Sequence, residues 1–219
     1  MKPSLYAHPF ASYCQKVLIA LYENATPFTY RQIGPDDPAA MSELEALWPL
    51  KKFPVLVDEG RTYIESSVII EHLSIRHPGS VQFIPREAAS ALEVRMLDRF
   101  FDNYVMTPMQ KIVADFLRAQ SDRDSTGVQE ARTLLDSAYG WLNGVMENRT
   151  WAAGEGFSLA DCAAAPSLFY SDWVHEIGAQ FPHARAYRRR LLARPSVART
   201  VDEGRPYRDY FPPGAPDRD

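Results

Sequence analysis

The chain has 219 residues, of which 46% are hydrophobic, and it carries a formal net charge of -4 at pH 7. This size and composition suffice for a substantial core, which argues against a disordered chain, and the slight acidity gives no reason to expect a nucleic acid as a partner. Because no apolar run approaches the roughly 20 residues of a membrane span and the N-terminus lacks a signal-peptide pattern, we expect a cytoplasmic protein that does not associate with membranes.

Two strands and a helix are predicted at the start of the chain. The apolar run SLYA, residues 4–7, predicts the first strand, and PFTYRQ, residues 27–32, predicts the second. Between them, Ser12 and Gln15 have the S-x-x-Q spacing of a capping box, which predicts that Ser12 caps a helix. The buried face of that helix is indicated by the i, i+3, i+4, i+7 pattern of Cys14, Val17, Leu18 and Leu21.

The next segments complete a mixed sheet of four strands. Residues 41–48 read as a short helix, FPVLVDEGRTYI as two strands about a turn at Gly60, and residues 66–75 as a further helix. Strands joined through a helix pair most easily in parallel, whereas the tight turn at Gly60 forces an antiparallel pair. The sheet is therefore expected to contain both kinds of pairing.

The rest of the chain is predicted to be all helical. Residues 91–120 form a long helical pattern that Pro108 is expected to bend or break, and shorter helices are expected at 128–148, 158–172, 184–193 and 196–203. Ser158 and Asp161 have capping-box spacing and are expected to stabilise the fold rather than to touch a substrate. The predicted fold class is an α/β domain, residues 1–80, followed by an all-α domain, residues 87–219.

The cysteines give no sign of a disulfide framework or a metal site. Cys14 and Cys162 are the only two, they lie far apart in the sequence, and neither belongs to a metal-ligand pattern. We therefore predict no metal centre. Cys14 begins an apolar stripe, so burial and low reactivity are expected, and Cys162 is expected in the core.

Four stretches in this order and spacing resemble the glutathione S-transferase family over nearly the whole chain: HPFASYCQKVLIALYE, WPLKKFPVLVD, YIESSVIIEHL and GEGFSLADCAAAP. The resemblance implies a thioredoxin-like N-terminal domain, a helical C-terminal domain and glutathione as co-substrate in the cleft between them. It also implies a homodimer. The implied reaction is conjugation of the glutathione thiolate to a small electrophile, which is a detoxification chemistry.

The resemblance also implies a role for each residue of the glutathione site. Phe53 would pair through its backbone with the cysteinyl part of glutathione, next to a cis Pro54. Glu65 and Ser66, at a helix start where unpaired N–H groups favour anions, would bind the γ-glutamyl ammonium and carboxylate. Lys52 would meet the glycyl carboxylate, with Lys51 as an open alternative because many relatives have glycine there.

The group that activates the thiol is left open by the sequence. Relatives commonly hold a serine or cysteine five residues before a basic residue, and counting back from Lys16 gives Ala11, which cannot activate a thiol. Ser12, Tyr6 at the end of the first strand, or backbone N–H groups remain, and we favour Ser12. Two other functions also stay open: a non-catalytic glutathione-binding module, and a disulfide reductase or peroxidase acting through Cys14.

Overall fold

A computed structural model describes residues 2–219 and shows an α/β half followed by a helical half. The α/β half contains β1 (Ser4–Ala7), α1 (Ser12–Glu23), β2 (Thr29–Gln32), α2 (Pro38–Leu47), β3 (Val55–Asp58), β4 (Arg61–Tyr63) and α3 (Ser66–Arg76). The helical half contains α4 (Ala88–Phe100), α5 (Thr107–Phe116), α6 (Ser125–Val145), α7 (Leu159–Val174), α8 (Pro182–Leu192) and α9 (Pro195–Gly204). Among the described residues, no helix is both long and apolar enough to cross a membrane.

The sheet has the order β2-β1-β3-β4 and the predicted mixed pairing. β1 and β2 are parallel, because α1 carries the chain back between them, and β3 is antiparallel to both β1 and β4. Glu59 and Gly60 have positive φ values of 49° and 77°, which give the tight turn of the β3–β4 hairpin. This arrangement confirms the thioredoxin-like fold that the resemblance implied.

One apolar cluster runs through both halves. α1 packs against α7, and Val17 and Leu18 lie in the same cluster as Ala163 and Leu168. Small residues of α7 allow this close approach, and all of α7 except its last residue is buried. Because the two halves share this core, the boundaries 1–80 and 87–219 stay a prediction.

The long helical pattern continues past Pro108 with one local widening. A π-helical turn, Phe101–Met106, joins α4 to α5, and the backbone stays helical at both junctions. Pro108 lies just after this turn and has no N–H to donate to the preceding turn of the helix, so the wider turn lies where the regular hydrogen-bond ladder is interrupted. The expected break is therefore absent, and the distortion at this position is a wider turn.

The capping box of α7 is present as predicted. Asp161 is fully buried and accepts hydrogen bonds from the backbone N–H groups of Ala152 (2.8 Å) and Ser158 (2.9 Å) and from the hydroxyls of Ser158 (3.0 Å) and Tyr187 (2.6 Å). Burial raises the pKa of Asp161, although these donors oppose the shift. The neighbouring Cys162 is also fully buried, as expected of a core residue.

Replacing Asp161 by Ala is expected to lower the free energy of unfolding by about 3 kcal/mol or more, because several buried donors lose their acceptor at once. Chemical denaturation measures the loss. Asp209→Ala is the matched control, since Asp209 is exposed, and a change within about 0.5 kcal/mol is expected there. Equal stability of the two variants would contradict the structural role of Asp161.

Candidate functional site

A cavity of about 840 Å³ lies between the sheet half and the helical half. Its wall on the α/β side contains all but one of the residues predicted from the sequence: Ser12, Lys52, Phe53, Pro54, Glu65 and Ser66. Tyr6 is the exception. The wall on the other side comes from α4, the π-helical turn, α5, α7 and the C-terminal segment.

Glu65 and Ser66 form an uncapped helix start in this wall. Glu65 is the N-cap of α3, and neither side chain makes a hydrogen bond to any of residues 2–219. The first amides of α3 are unpaired, because the earliest helical bond runs from the Ile69 N–H to the Glu65 carbonyl. This corner thus offers a hydroxyl and amide donors for an anion beside a carboxylate for a cation.

Glu65 adopts an unusual backbone conformation, with φ 66° and ψ 113°. A residue with a Cβ atom is strained in this region, at a cost of about 1–3 kcal/mol. Glycine would adopt it without that cost. The fold therefore holds a glutamate at the mouth of α3 where another residue would be more stable.

The Phe53–Pro54 peptide is cis, as the resemblance implied, and both residues line the cavity. Pro54 directly precedes β3. Neither the N–H nor the C=O of Phe53 pairs with another backbone group in the described part of the chain. Both groups therefore remain free to pair with an extended ligand.

The two neighbouring lysines differ in their partners. The Nζ atom of Lys51 lies 2.7 Å from Oε1 of Glu45, in an exposed ion pair. Both lysines line the cavity, and Lys52 pairs with no acidic residue among 2–219. Of the two, Lys52 has the free charge.

The predicted capping box at the start of α1 is wrong. Ala11 is the N-cap, and Ser12 is the first helical residue, so no side chain caps this helix. The side-chain amide of Gln15 instead donates to the Pro9 carbonyl (2.9 Å) and to the Tyr170 hydroxyl (3.2 Å), which draws it toward the helical half. The half-buried Ser12 hydroxyl and the first amides of α1 are consequently left without a protein partner in the described chain.

The structure separates Tyr6 from this cavity. Its ring packs with Ile33, Leu44 and Val55 under α2, and its hydroxyl donates to Oε2 of Glu43 at 2.9 Å. Burial together with this carboxylate raises the pKa of Tyr6. Successive side chains of a strand point to opposite faces, and that of Tyr6 lies on the face of β1 that points away from α1 and α3. Tyr6 is therefore not brought together with the other predicted residues.

Cys14 is fully buried on the inner face of α1, as expected. Its Sγ atom accepts a long hydrogen bond of 3.4 Å from the His8 N–H. Burial raises the pKa of the thiol to about 12, against the smaller effect of that hydrogen bond. A thiol in this environment carries almost no thiolate near neutral pH.

The sequence analysis missed the cavity residues of the helical half. Phe101 and Met106, in the aromatic and methionine-rich segment between α4 and α5, are buried in the core and do not line the cavity. The residues that do line the cavity there are Arg99, Asp102, Asn103, Met109, Gln110, Val113, Ala114, Leu117, Tyr170 and Phe211. The π-helical turn shifts which positions face the cavity, and no pattern in the sequence indicates that shift.

A cluster of charged side chains lies between α1 and the helical wall of the cavity. The Nζ atom of Lys16, 1% exposed, lies 2.6 Å from Oδ1 of Asp98 and 2.9 Å from Oδ2 of Asp102. It also donates to the Ser67 hydroxyl at 2.9 Å, and the Arg99 guanidinium covers both aspartates. Burial raises the pKa of Asp102, although Lys16 opposes the shift.

Comparison with known proteins gives matches along most of the chain. Residues 5–81 match the glutathione S-transferase N-terminal domain, and residues 104–195 match the C-terminal domain. FtsZ-localized protein A of Caulobacter vibrioides is 28% identical over 203 residues, 88% of this chain and 87% of that protein. The Stringent starvation protein A homolog of Coxiella burnetii is 24% identical over 209 residues, 91% of each chain.

A solved structure agrees with both halves of the fold. The glutathione S-transferase of Methylobacterium radiotolerans, in complex with glutathione sulfonate, gives a TM-score of 0.79 at 26% identity. The match covers 92% of this chain and 95% of that one. The resemblance therefore extends over the two walls of the cavity and the core between them.

Proposed function

Because the chain belongs to the glutathione S-transferase family, we propose that it binds glutathione in the cavity between its two halves and conjugates the thiolate to a small electrophile. The observation that carries this proposal is the uncapped start of α3, where the strained Glu65 and the unpaired Ser66 face the cavity. Strain of this kind persists where the surrounding structure and function hold it. A related transferase with glutathione sulfonate bound supports the choice of ligand.

Glutathione matches the polar groups of the α/β wall. Its γ-glutamyl carboxylate takes the Ser66 hydroxyl and the free amides of α3, and its ammonium pairs with Glu65. The backbone of Phe53 pairs with the cysteinyl residue in the manner of a β-strand. Lys52 holds the glycyl carboxylate, since Lys51 is already paired with Glu45.

Ser12 is the side chain we propose as the activator of the thiol. A free thiol has a pKa of about 8.5, so a hydroxyl that donates to the sulfur favours the thiolate at neutral pH. Ser12 lines the cavity, does not cap α1 and stands beside the free amides of the first turn, which add a favourable dipole. Tyr6 lacks access to the cavity, as its hydroxyl is directed to Glu43.

The electrophile is expected against the helical wall. Met109, Val113, Ala114 and Leu117 bring an apolar surface of α5 to the cavity. A small hydrophobic electrophile would bury its surface there while its reactive atom meets the sulfur. The detoxification of such compounds is the role we propose for the reaction.

The geometry of the cavity and of Cys14 also bears on the two alternative functions. A non-catalytic glutathione-binding module draws support from Ala11 at the N-cap, and from a relative named for its localisation with FtsZ. Conjugation of a generic aryl halide separates this module from an enzyme. A reductase or peroxidase acting through Cys14 is disfavoured, because a fully buried thiol with a pKa of about 12 is a poor nucleophile.

We further propose a homodimer formed through α3 and α4. The apolar segment YVMTPMQ, residues 104–110, does not supply the contact surface, because Val105, Met106 and Met109 are buried within their own chain. Exposed apolar side chains lie instead on α3 and α4, where Ile75 and Leu92 are 74% and 68% exposed. Glu71 of α3 pairs with Arg95 of α4, so these two helices are neighbours, and a second copy placed on them would cover both side chains.

The variant Glu65→Gly tests glutathione binding. Loss of the carboxylate is expected to weaken the affinity by about tenfold to a hundredfold, the equivalent of about 1.5–3 kcal/mol for a charged hydrogen bond. The free energy of unfolding is expected to rise by about 1 kcal/mol, because relief of the backbone strain exceeds the entropy that glycine costs. Calorimetric titration with glutathione and chemical denaturation measure the two effects.

Glu59→Gly is the matched control for this variant. Glu59 also has a positive φ, of 49°, but lies in the β3–β4 turn at the far end of β3 from Pro54. Its replacement should leave the affinity for glutathione unchanged. Equal affinity of Glu65→Gly and the wild type would exclude Glu65 from the site.

The variant Ser12→Ala tests thiol activation. The pKa of bound glutathione is expected to rise and turnover to fall by about tenfold or more, whereas stability should change by less than about 0.5 kcal/mol because Ser12 caps nothing. Titration of thiolate absorbance measures the pKa. Tyr6→Phe should leave it unchanged; a shift in Tyr6→Phe alone would reverse the assignment, and no shift in either variant would assign activation to the amides of α1.

The homodimer is tested by light scattering at micromolar concentration. The expected mass is twice the 24.8 kDa of one chain. Ile75→Lys with Leu92→Lys should shift the protein to monomer, because both charges would be buried in the contact. A wild-type mass near that of a single chain would contradict the proposal.

A further inference from the structure

A cluster of two histidines and one aspartate lies in the α/β half, outside the cavity. Oδ2 of Asp58 is 2.8 Å from Nε2 of His72 and 2.7 Å from Nε2 of His77. One ligand atom of each residue lies within 4.8 Å of the other two. Asp58 is the last residue of β3, His72 lies in α3, and His77 directly follows α3.

Local backbone structure brings the two histidines to one side. In a continued helix His77 would point away from His72, since side chains meet at spacings of three and four. The helix ends at Arg76, however, and His77 adopts φ -131° and ψ 55°. Its ring then stands edge-on to that of His72, with centroids 6.3 Å apart.

The carboxylate of Asp58 can bind a further group, because one of its oxygen atoms is unpaired. It is 3% exposed, and its Oδ1 atom is buried without a hydrogen-bond partner in the described part of the chain. Burial acts to raise the pKa of Asp58, but the hydrogen bonds from His72 and His77 outweigh it and hold that pKa below its ordinary value. A buried oxygen without a donor is uncommon, and a cation bound to the carboxylate would satisfy it.

We propose that Asp58, His72 and His77 bind a divalent transition-metal ion of the zinc class. Two imidazoles and a carboxylate are a ligand set that suits Zn²⁺, with water able to complete four-coordination because His77 reaches the surface. The carboxylate gives the cluster a negative charge, and the nearby Arg76 is neutralised by Glu59 at 2.7 Å.

Metal binding requires a rearrangement of these side chains. Ligand atoms about 2.1 Å from a tetrahedral ion lie roughly 3.4 Å apart, so the contacts of Asp58 with His72 and His77, now 2.8 and 2.7 Å, must open by roughly 0.6–0.7 Å. The ligand atoms of the two histidines lie within 4.8 Å of each other and must take the same separation. Without the ion, each Nε2 carries the proton that it donates to Asp58, since a carboxylate only accepts. On binding, each Nε2 gives its lone pair to the ion, and the ring proton stands on Nδ1 instead. Tyr63, stacked on His72 with centroids 3.8 Å apart, holds that ring in place.

The site is separate from the glutathione cavity. Pro54 and Asp58 stand at opposite ends of β3, roughly 13 Å apart at about 3.3 Å per residue. Along α3, Ser66 and His72 are six residues apart, which is roughly 9 Å at about 1.5 Å per residue, and His77 lies beyond the end of the helix. A test of the metal site is therefore independent of the proposed transferase function.

The test uses the full-length protein without a histidine tag and without glutathione. Titration with Zn²⁺, read by calorimetry and by elemental analysis after dialysis, should give one ion per chain. The melting temperature should rise by about 5–10 °C at a hundredfold excess over Kd. Cys14 and Cys162 are fully buried and do not compete for the ion.

The variants His72→Gln and His77→Gln each remove a direct ligand of the ion. The affinity for Zn²⁺ should therefore fall by more than about 100-fold, because loss of an outer-shell partner alone already costs about 10- to 100-fold. His183→Gln is the matched control, since His183 is exposed on α8, and wild-type binding is expected there. Circular dichroism confirms that each variant is folded. Zn²⁺ binding by both cluster variants with wild-type affinity, or less than one ion per wild-type chain at saturation, would overturn the proposal.

Discussion

The buried ammonium of Lys16 is the constraint on which the arrangement of the two halves depends. A charge that is 1% exposed is tolerated only when it is paired, and its partners Asp98 and Asp102 come from the helical half. Removing one partner from such a pair costs about 3–5 kcal/mol, so α1 has one favourable position against α4 and the π-helical turn. The apolar contact of α1 with α7 supplies most of the cohesion, and the charge cluster fixes its geometry.

The same cluster positions the cavity. Ser67 accepts from Lys16 and donates to Asp98 at 2.8 Å, and it directly follows Ser66 at the start of α3. Asp102, which pairs with Lys16 on one side, lines the cavity on the other. The helix start that offers amides to a ligand is thereby held at a set distance from the helical wall. The polar and apolar walls are coupled through this charge cluster, of which Lys16 and Asp98 lie behind the wall while Arg99 and Asp102 also line the cavity.

Sequence reasoning predicted the parts of the cavity wall that depend on local chemistry. These parts are Pro54 before a strand and the acid-hydroxyl pair at a helix start. What each of them predicts does not depend on the residues that pack around it. The Ser12 cap failed because Gln15 finds better partners in Pro9 and Tyr170, and the latter belongs to the other half of the chain. The helical wall and the Asp58 cluster were missed for a related reason: one depends on a π-helical turn, and the other on the backbone of His77 after α3 ends.

Glutathione is proposed at one end of β3 and α3 and a metal ion at the other, and the packing between these ends determines how far one site can influence the other. Both elements run from the cavity to the Asp58 cluster, and their inner faces, Leu56, Ile69, Ile70 and Leu73, are packed in the core. A close-packed core transmits a displacement only where two discrete arrangements exist. The side-chain movements that an ion would require at the cluster fall on the imidazoles and the exposed end of α3, and they need not move Glu65 or Ser66. An ion at this end would therefore stabilise the α/β half while leaving the glutathione affinity of the other end unchanged.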